Sequence, residues 1–168
     1  MNKKSKARLK KELIYLLQDG QITEFNKKRP YPSVDLSGID LSETNLCGAN
    51  LSGANLRKAN LSDADLFLAN LSGADLRGAD LSGANLKGAN LKKANLGGAS
   101  LIWADLRLAN LSGANLCKTS FWKTDLEGAN LKKAIFKKKD LWGVNPFEVR
   151  GLSDEQKKML IERFEPKI

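Results

Sequence analysis

Carboxylates are the side chains whose spacing in this sequence first suggests chemistry. Asp75 and Asp80 lie five residues apart, and two neighbouring carboxylates can act as a general acid and a general base. Both belong to a series of Asn and Asp that recurs every five residues through most of the chain. Because Asn and Asp favour turns, we interpret the series as structural and predict no catalytic residue.

The absence of histidine narrows the possible chemistry further. The 168 residues include no His, which excludes a Ser-His-Asp triad, a Cys-His dyad and a histidine metal site. The two cysteines, Cys47 and Cys117, are too few for a disulfide-rich scaffold or a four-thiolate zinc site. We therefore predict that the protein is not an enzyme, with no cofactor and no metal site.

The first residues and the thiols predict the compartment. Residues 1–11 are basic, but the apolar stretch that follows, residues 13–17, is shorter than the roughly 7–15 residues of a secretory signal. No apolar run approaches the ~20 residues of a membrane helix, and two free thiols suit a reducing compartment. These features predict a cytoplasmic protein without a membrane segment.

A five-residue period organises the chain from Val34 to Gly143. An apolar residue stands at every fifth position from Leu36 to Leu141; of these 22 positions, 20 are Leu and two are Phe. Two residues earlier stands Ala in 16 cases, one residue earlier Asn or Asp in 19, and two residues later Gly in 11. The period fits neither a helix nor a strand. A pentad that points two apolar side chains inward and then turns predicts rings that stack and bury their Leu residues on one another.

The tandem motif A(N/D)LXX, as in residues 49–53 and 74–78, resembles the pentapeptide-repeat family. The resemblance implies an all-β solenoid: a right-handed quadrilateral β-helix with four pentads per coil, and hence about 5.5 coils in this chain. With short α-helical caps at both termini, the chain is similar to cyanobacterial and other bacterial members, some of which regulate cell differentiation.

Caps are needed because an open coil exposes Leu side chains and unpaired backbone groups. Residues 5–18 predict an amphipathic helix, a second short helix follows it, and a capping box at Ser153 opens a last helix. We divide the chain into a helical cap with an extended lead-in (1–33), the repeats (34–143) and a loop with a capping helix (144–168). Capped ends favour a monomer.

The inward Leu and Phe positions are predicted to form the structural core. We expect this core to be filled so closely that no cavity for a small-molecule ligand remains. Representative core positions are Leu51, Leu56, Leu76, Leu81, Leu96, Leu116, Phe121 and Phe136.

Residues twenty apart share a face, and one face is aromatic. Ile102, Trp122 and Trp142 are predicted to stack there, with Trp103 beside them. One interpretation is that the C-terminal helix folds back and covers all or part of these side chains. The other is a docking face for a protein partner, because Trp is enriched at interface hot spots. Another face carries Phe67, Leu68, Arg107 and Leu108.

A second candidate surface is basic. It carries Arg57, Lys58, Arg77, Lys118, Lys137 and Lys138. The whole chain has a net charge of +9, but residues 34–143 hold 14 basic and 11 acidic residues, so most of the excess lies in the N-terminal segment. We interpret the basic side chains as solvated charge and do not expect nucleic-acid binding.

These observations favour a non-enzymatic protein–protein interaction or scaffold module that binds a protein of unknown identity. The alternative is nucleic-acid-related binding, or a topoisomerase interaction of the gyrase-protecting kind known in the family. Such DNA mimicry needs a strongly negative surface, which the positive net charge of the repeats disfavours.

Overall fold

A computed structural model describes residues 3–28, 34–137, 139–142, 144–145 and 148–161. The described helices are α1 (Lys3–Gln18), α2 (Ile22–Lys28) and α3 (Asp154–Ile161), and the repeats lie between α2 and α3. Within these ranges no helix is both long enough and apolar enough to cross a membrane. The lead-in at 29–33 and Lys138 of the basic surface lie outside the described residues.

The repeats pair in parallel with a register of twenty residues. The bridges run from Asp35↔Asn55 to Asn115↔Ile135, with one more between Asn130 and Arg150. Four pentads therefore make one coil. In the described residues of the solenoid, each pairing is an isolated one-residue bridge. The expectation of an all-β solenoid is therefore corrected in one respect, because the described coils contain no extended strands. The reason is that a turn follows each bridging residue after only one further residue, so no strand can lengthen.

The periodic Asn and Asp residues hold the turns, as the sequence predicts. From residue 35 to residue 130, the side-chain oxygen of each Asn or Asp in the series accepts a hydrogen bond from the backbone N–H two residues later, for example Ser82 N to Asp80 Oδ1 at 3.0 Å. Several Asn amides also donate to the residue one coil earlier, for example Asn85 Nδ2 to Asp65 Oδ1 at 2.9 Å. The series therefore satisfies backbone donors and joins adjacent coils.

In the repeats from Gly38 to Lys133, the last residue of each turn has a left-handed backbone, whether or not it is glycine. Gly88 and Gly128 have φ of 68° and 67°, and Leu68 and Leu108 have φ of 54° and 59°. A Cβ atom on Gly88 would lie 2.8 Å from Leu68 Cδ2, and one on Gly128 would lie 2.9 Å from Leu108 Cδ2. Glycine in one coil thus makes room for a large side chain of the coil before it.

The core follows the five-residue period. Seven of the predicted core positions, from Leu51 to Phe121, are no more than 2% exposed. Phe136 is an exception, because it is only partly buried against the core. The regular pairing of its face ends at the bridge of Ile135, directly before it, so no regular coil continues beneath its ring in the described chain.

The two N-terminal helices replace the coil that the first repeats lack. Leu17 and Phe25 are fully buried against the column. The side chain of Asn26 donates to the carbonyl of Gly48 at 3.1 Å and accepts from the backbone N–H of Asn50 at 2.7 Å. These contacts satisfy edge groups that a further coil would otherwise satisfy. The predicted first helix is confirmed, with its start at Lys3 rather than residue 5.

An ion pair between α1 and the first coil makes the cap sensitive to acid. The pKa of Asp35 is lowered from 3.8 to about 2, first by a hydrogen bond from Lys10 Nζ at 2.8 Å and then by the Ser37 hydroxyl and N–H. A carboxyl whose pKa is lowered by folding stabilises the fold above pH 4 and loses that contribution as pH falls toward 2. Because both side chains are about half exposed, Asp35→Asn should lower the free energy of unfolding by at most about 1 kcal/mol at pH 7.

Urea unfolding of both proteins between pH 7 and pH 2 tests this prediction. The difference between wild type and Asp35→Asn should shrink below pH 4. A difference that stays constant over the whole range would contradict the assignment to the carboxylate charge.

The column continues past residue 143, where the sequence places the end of the repeats. The backbone of Arg150 accepts from Leu131 N at 2.8 Å and donates to Ala129 O at 2.7 Å, and Glu148 O accepts from Gly128 N at 2.7 Å. Residues 148–150 thus form part of a further coil without the pentad motif. Pairing in this fold needs only one bridging residue per side, so an irregular sequence can supply it.

The C-terminal helix begins at the predicted capping box. Ser153 N donates to Gln156 Oε1 at 3.0 Å, and Gln156 N donates to Ser153 Oγ at 3.2 Å. Gln156 Nε2 also donates to Ala134 O at 3.4 Å, and Leu160 is buried. The helix α3 is therefore held against the end of the column.

Candidate docking site

The carboxylates that first suggested acid–base chemistry are engaged in structural contacts. Both oxygens of Asp75 accept from the Arg77 guanidinium, at 2.8 and 2.5 Å. This contact holds the pKa of Asp75 below its ordinary value. In the described parts of the chain, no group of His, Cys, Asp or Glu is arranged to hold a metal ion. The cysteines Cys47 and Cys117 are free, as predicted.

The aromatic face is open to solvent. Trp103, Trp122 and Trp142 are 57%, 44% and 63% exposed, and Ile102 is half-buried. The helix α3 contacts Ala134 instead, so the interpretation that the C-terminal segment covers the three Trp side chains is wrong for the described residues. Three exposed Trp on one face are unusual for a water-soluble surface.

Two of the three Trp rings form a right-angled corner that holds a cation. The ring centroids of Trp103 and Trp122 are 5.5 Å apart, and the ring planes meet at 85°. Lys123 Nζ lies 4.0 Å from the Trp103 centroid and 4.6 Å from the Trp122 centroid. Both distances fall within the range of a cation–π interaction. Counting by twenties places Trp122 above Trp142 and Lys123 above Trp103, but it does not predict the contact between the Trp103 and Trp122 rings.

A cleft of about 300 Å³ lies between Trp122 and Trp142. Its charged lining residues are Lys118, Lys139 and Asp140. Asp140 is buried, and its carboxylate accepts from Lys137 N at 2.8 Å. The cleft therefore combines an apolar wall with two lysines.

A second cleft, of about 470 Å³, adjoins the Trp corner through Lys123. It is lined by Lys123, Thr124, Asp125, Glu127 and Glu148. The first four residues belong to two successive pentads, 119–123 and 124–128, but the sequence pattern did not predict this acidic cleft. Glu148 lies outside the regular repeats, so no period could assign it to this surface.

The backbone at Trp103 is strained, which leads to a prediction about stability. Its φ is 62°, a conformation that costs a side chain about 1–2 kcal/mol relative to Gly. Trp103→Gly removes this strain together with ring contacts of similar worth, so we expect the free energy of unfolding to change by less than about 1 kcal/mol. Trp122, at a position without positive φ, gives the matched control, because Trp122→Gly loses the same ring contact without any relief of strain.

Urea unfolding followed by circular dichroism checks this comparison. Trp122→Gly should be the less stable of the two variants by about 1–2 kcal/mol. Equal stabilities would show that the backbone at Trp103 is not strained.

The basic surface is divided into two parts. Arg57, Lys58 and Arg77 lie in the first coils, and Lys118 and Lys137 lie in the last. The coil between them presents Gly97 and Gly98 on the same face. Since the Arg77 guanidinium is also paired with Asp75, the described residues form no continuous positive track of the kind that follows a phosphate backbone.

Comparison with known proteins identifies the repeats. A family model for pentapeptide repeats matches residues 35–73, 69–107 and 109–145, with eight copies. No curated protein matches the chain.

Solved structures of pentapeptide repeat proteins are similar to the chain. HetL, which is involved in heterocyst differentiation regulation in the cyanobacterium Nostoc sp. strain PCC 7120, is 38% identical over 60% of this chain and 46% of its own, with a TM-score of 0.47. The chain thus spans about half of HetL. A protein of the Arabidopsis thaliana thylakoid lumen is 30% identical over 76% of this chain and 87% of its own, with a TM-score of 0.49. Rfr23 of Cyanothece 51142 is 41% identical over 58% of this chain and 64% of its own, with a TM-score of 0.34. The chain belongs to the pentapeptide-repeat family.

Proposed function

We propose that the protein is a non-enzymatic interaction or scaffold module that docks a partner protein on its aromatic face. The observation that carries the proposal is the exposure of Trp103, Trp122 and Trp142 on one side of the column. Large aromatic side chains provide most of the binding energy in many interfaces. The two clefts, one lined by Trp122 and Trp142 and the other by Lys123, provide concave surface for partner side chains.

The column suits docking because it is ordered before a partner arrives. Its coils are joined by backbone hydrogen bonds at about 2.7–3.2 Å, and the Leu core is fully buried. A surface that is already ordered loses little conformational entropy on binding. In this proposal the repeats form a rigid, right-handed quadrilateral column of about 5.5 coils. The free protein is a monomer and is located in a bacterial cytoplasm.

HetL is involved in regulating cell differentiation. For the present chain we propose only the general class, which is a non-enzymatic regulatory or scaffold protein. The partner itself must come from experiment.

The test compares protein capture by the wild type and by two triple variants. In the first variant Trp103, Trp122 and Trp142 are replaced by Ala, and in the matched control Leu68, Leu108 and Ile135, which are 58–60% exposed elsewhere on the column, are replaced by Ala. We expect the wild type and the control variant to retain the partner at 500 mM salt after nuclease treatment. The Trp variant should not retain it. Circular dichroism confirms that all three proteins are folded.

Two outcomes would contradict the proposal. Capture that survives in the Trp variant would place the docking surface elsewhere. Capture that disappears with nuclease would favour the nucleic-acid alternative, and protection of gyrase from a quinolone in a supercoiling assay would favour the topoisomerase alternative.

A further inference from the structure

The corner formed by Trp103 and Trp122 has the geometry of a cation-binding site. Two indole rings meet at 85°, and an ammonium group lies 4.0 and 4.6 Å from their centroids. Perpendicular aromatic walls around an ammonium group are the arrangement by which proteins recognise alkylated and side-chain cations. The cation present here belongs to the chain itself, so the corner is already shaped for such a group.

Trp103 and Lys123 stand where the fold would accept glycine with less strain. Trp103 and Lys123 occupy equivalent turn positions in successive coils, with φ of 62° and 56°. Leu68 and Leu108 at such positions each lie over a glycine of the next coil. Trp103 is instead followed by Lys123, which places a cation on its ring. The turn does not require this pair, because glycine and several other residue types occupy the equivalent position in other pentads.

The surface next to the corner attracts further positive charge. Lys123 lines the acidic cleft together with Asp125, Glu127 and Glu148. Asp125 also lies 3.6 Å from Arg107 Nε, and Glu148 Oε1 accepts from Asn145 Nδ2 at 2.6 Å. With Lys123 withdrawn, the cleft would hold three carboxylates beside two exposed indole rings.

We propose that the corner of Trp103 and Trp122 binds a lysine side chain of a basic partner segment, and that Lys123 occupies this corner in the free protein. This proposal rests on the proposed docking function and states the chemistry of the partner. Further cations of the segment would lie in the cleft of Asp125, Glu127 and Glu148. A choline lipid headgroup fits less well, because its phosphate would be repelled by these carboxylates.

The experiment uses the full chain and the peptide acetyl-Lys-Gly-Lys-Gly-Lys-amide, with Gln in place of Lys as the neutral control peptide. Binding is followed by Trp fluorescence and calorimetry at 50 and 150 mM salt. Lys123→Gly should tighten binding about two- to five-fold, because the competing internal cation is removed. Trp103→Gly should weaken binding by a similar or larger factor. Glycine is used because both positions have positive φ, so these variants should fold.

Two matched variants separate the corner from general charge and aromatic effects. Lys118→Gly removes the same charge from an equivalent turn position, with φ of 63°, but lies outside the corner and should tighten binding much less than Lys123→Gly. Tyr15→Ala removes an exposed aromatic side chain of α1 that takes no part in the corner or the aromatic face, and it should leave binding unchanged. In the NMR spectrum of the wild type, the Hε signals of Lys123 should be shifted upfield by the rings and should move downfield as the peptide is added.

Several results would overturn the proposal. These are equal tightening by Lys123→Gly and Lys118→Gly, undiminished binding to Trp103→Gly, and binding of the Gln peptide with the same affinity. Binding of Lys123→Gly to phosphatidylcholine vesicles but not to the lysine peptide would assign the corner to a lipid instead. If one of these results is obtained but the triple Trp variant still loses partner capture, the docking function is supported. Only the assignment of a lysine as the bound group is then wrong.

Discussion

Leu76→Ala should lower the free energy of unfolding by about 2–5 kcal/mol. Leu76 is fully buried in the middle of the column, and the neighbouring Ala74 and Ala79 are each 1% exposed. The coils above and below are joined through backbone hydrogen bonds, such as Leu56 N to Asp75 O and Leu76 N to Asn95 O at 2.8 Å. These bonds fix the spacing between coils, so the structure cannot collapse fully into the cavity that the missing side chain leaves.

The measurement is equilibrium urea unfolding, followed by Trp fluorescence and by circular dichroism. Leu68→Ala is the matched control, because Leu68 is 59% exposed and its loss should cost less than about 1 kcal/mol. Two probes are needed because all three Trp lie in the second half of the column, and a repeat protein can unfold in parts. A loss below about 1 kcal/mol for Leu76→Ala would contradict close packing of the core.

Gly151→Ala should destabilise the C-terminal end of the column by about 2–5 kcal/mol. Gly151 has φ of 77°, and a Cβ atom there would lie 2.8 Å from Lys132 N and 2.8 Å from Asn130 Oδ1. The first contact is with backbone, which cannot move aside as the end of a flexible side chain can. The substitution would therefore disturb the pairing of Asn130 with Arg150 and the position of α3.

Gly98→Ala separates the strain from the collision. Gly98 has φ of 73°, but a Cβ atom there would meet no other atom within 4 Å, so only the backbone strain of about 1–2 kcal/mol should appear. Urea unfolding and amide hydrogen exchange of Arg150 measure the two effects. Equal losses in the two variants would show that the contact with Lys132 is relieved without cost.

The repeats could be predicted closely from the sequence because their structure is encoded locally. Each pentad carries its own turn residues and its own inward pair, so the inward positions and the structural role of the Asp series follow from the period alone. Leu76 and Asp80 have the surroundings that the pattern predicts. The helix starting near residue 5 and the capping box at Ser153 are also local signals.

Positions at which the period ends were predicted less well. Phe136 fits the pattern of a core residue but is only partly buried, because the burial of an inward side chain depends on the coil beneath it. Arg150 continues the ladder although its segment has no pentad motif. A sequence pattern describes only the repeats that carry it, so neither outcome is visible before the chain is folded.

The sequence by itself determined the class of the molecule: a stack of pentad coils with a Leu core, capped by helices, and with Trp residues at outward positions. Only the tertiary structure decided that α3 leaves the Trp side chains exposed, that Trp103 pairs with Trp122, and that Lys123 lies between the rings beside Glu127 and Glu148. The physical reason is that a repeat period specifies the path of the backbone and the direction of each side chain. Contacts across coils depend on side-chain conformation and on the path of the irregular C-terminal segment, which no period encodes.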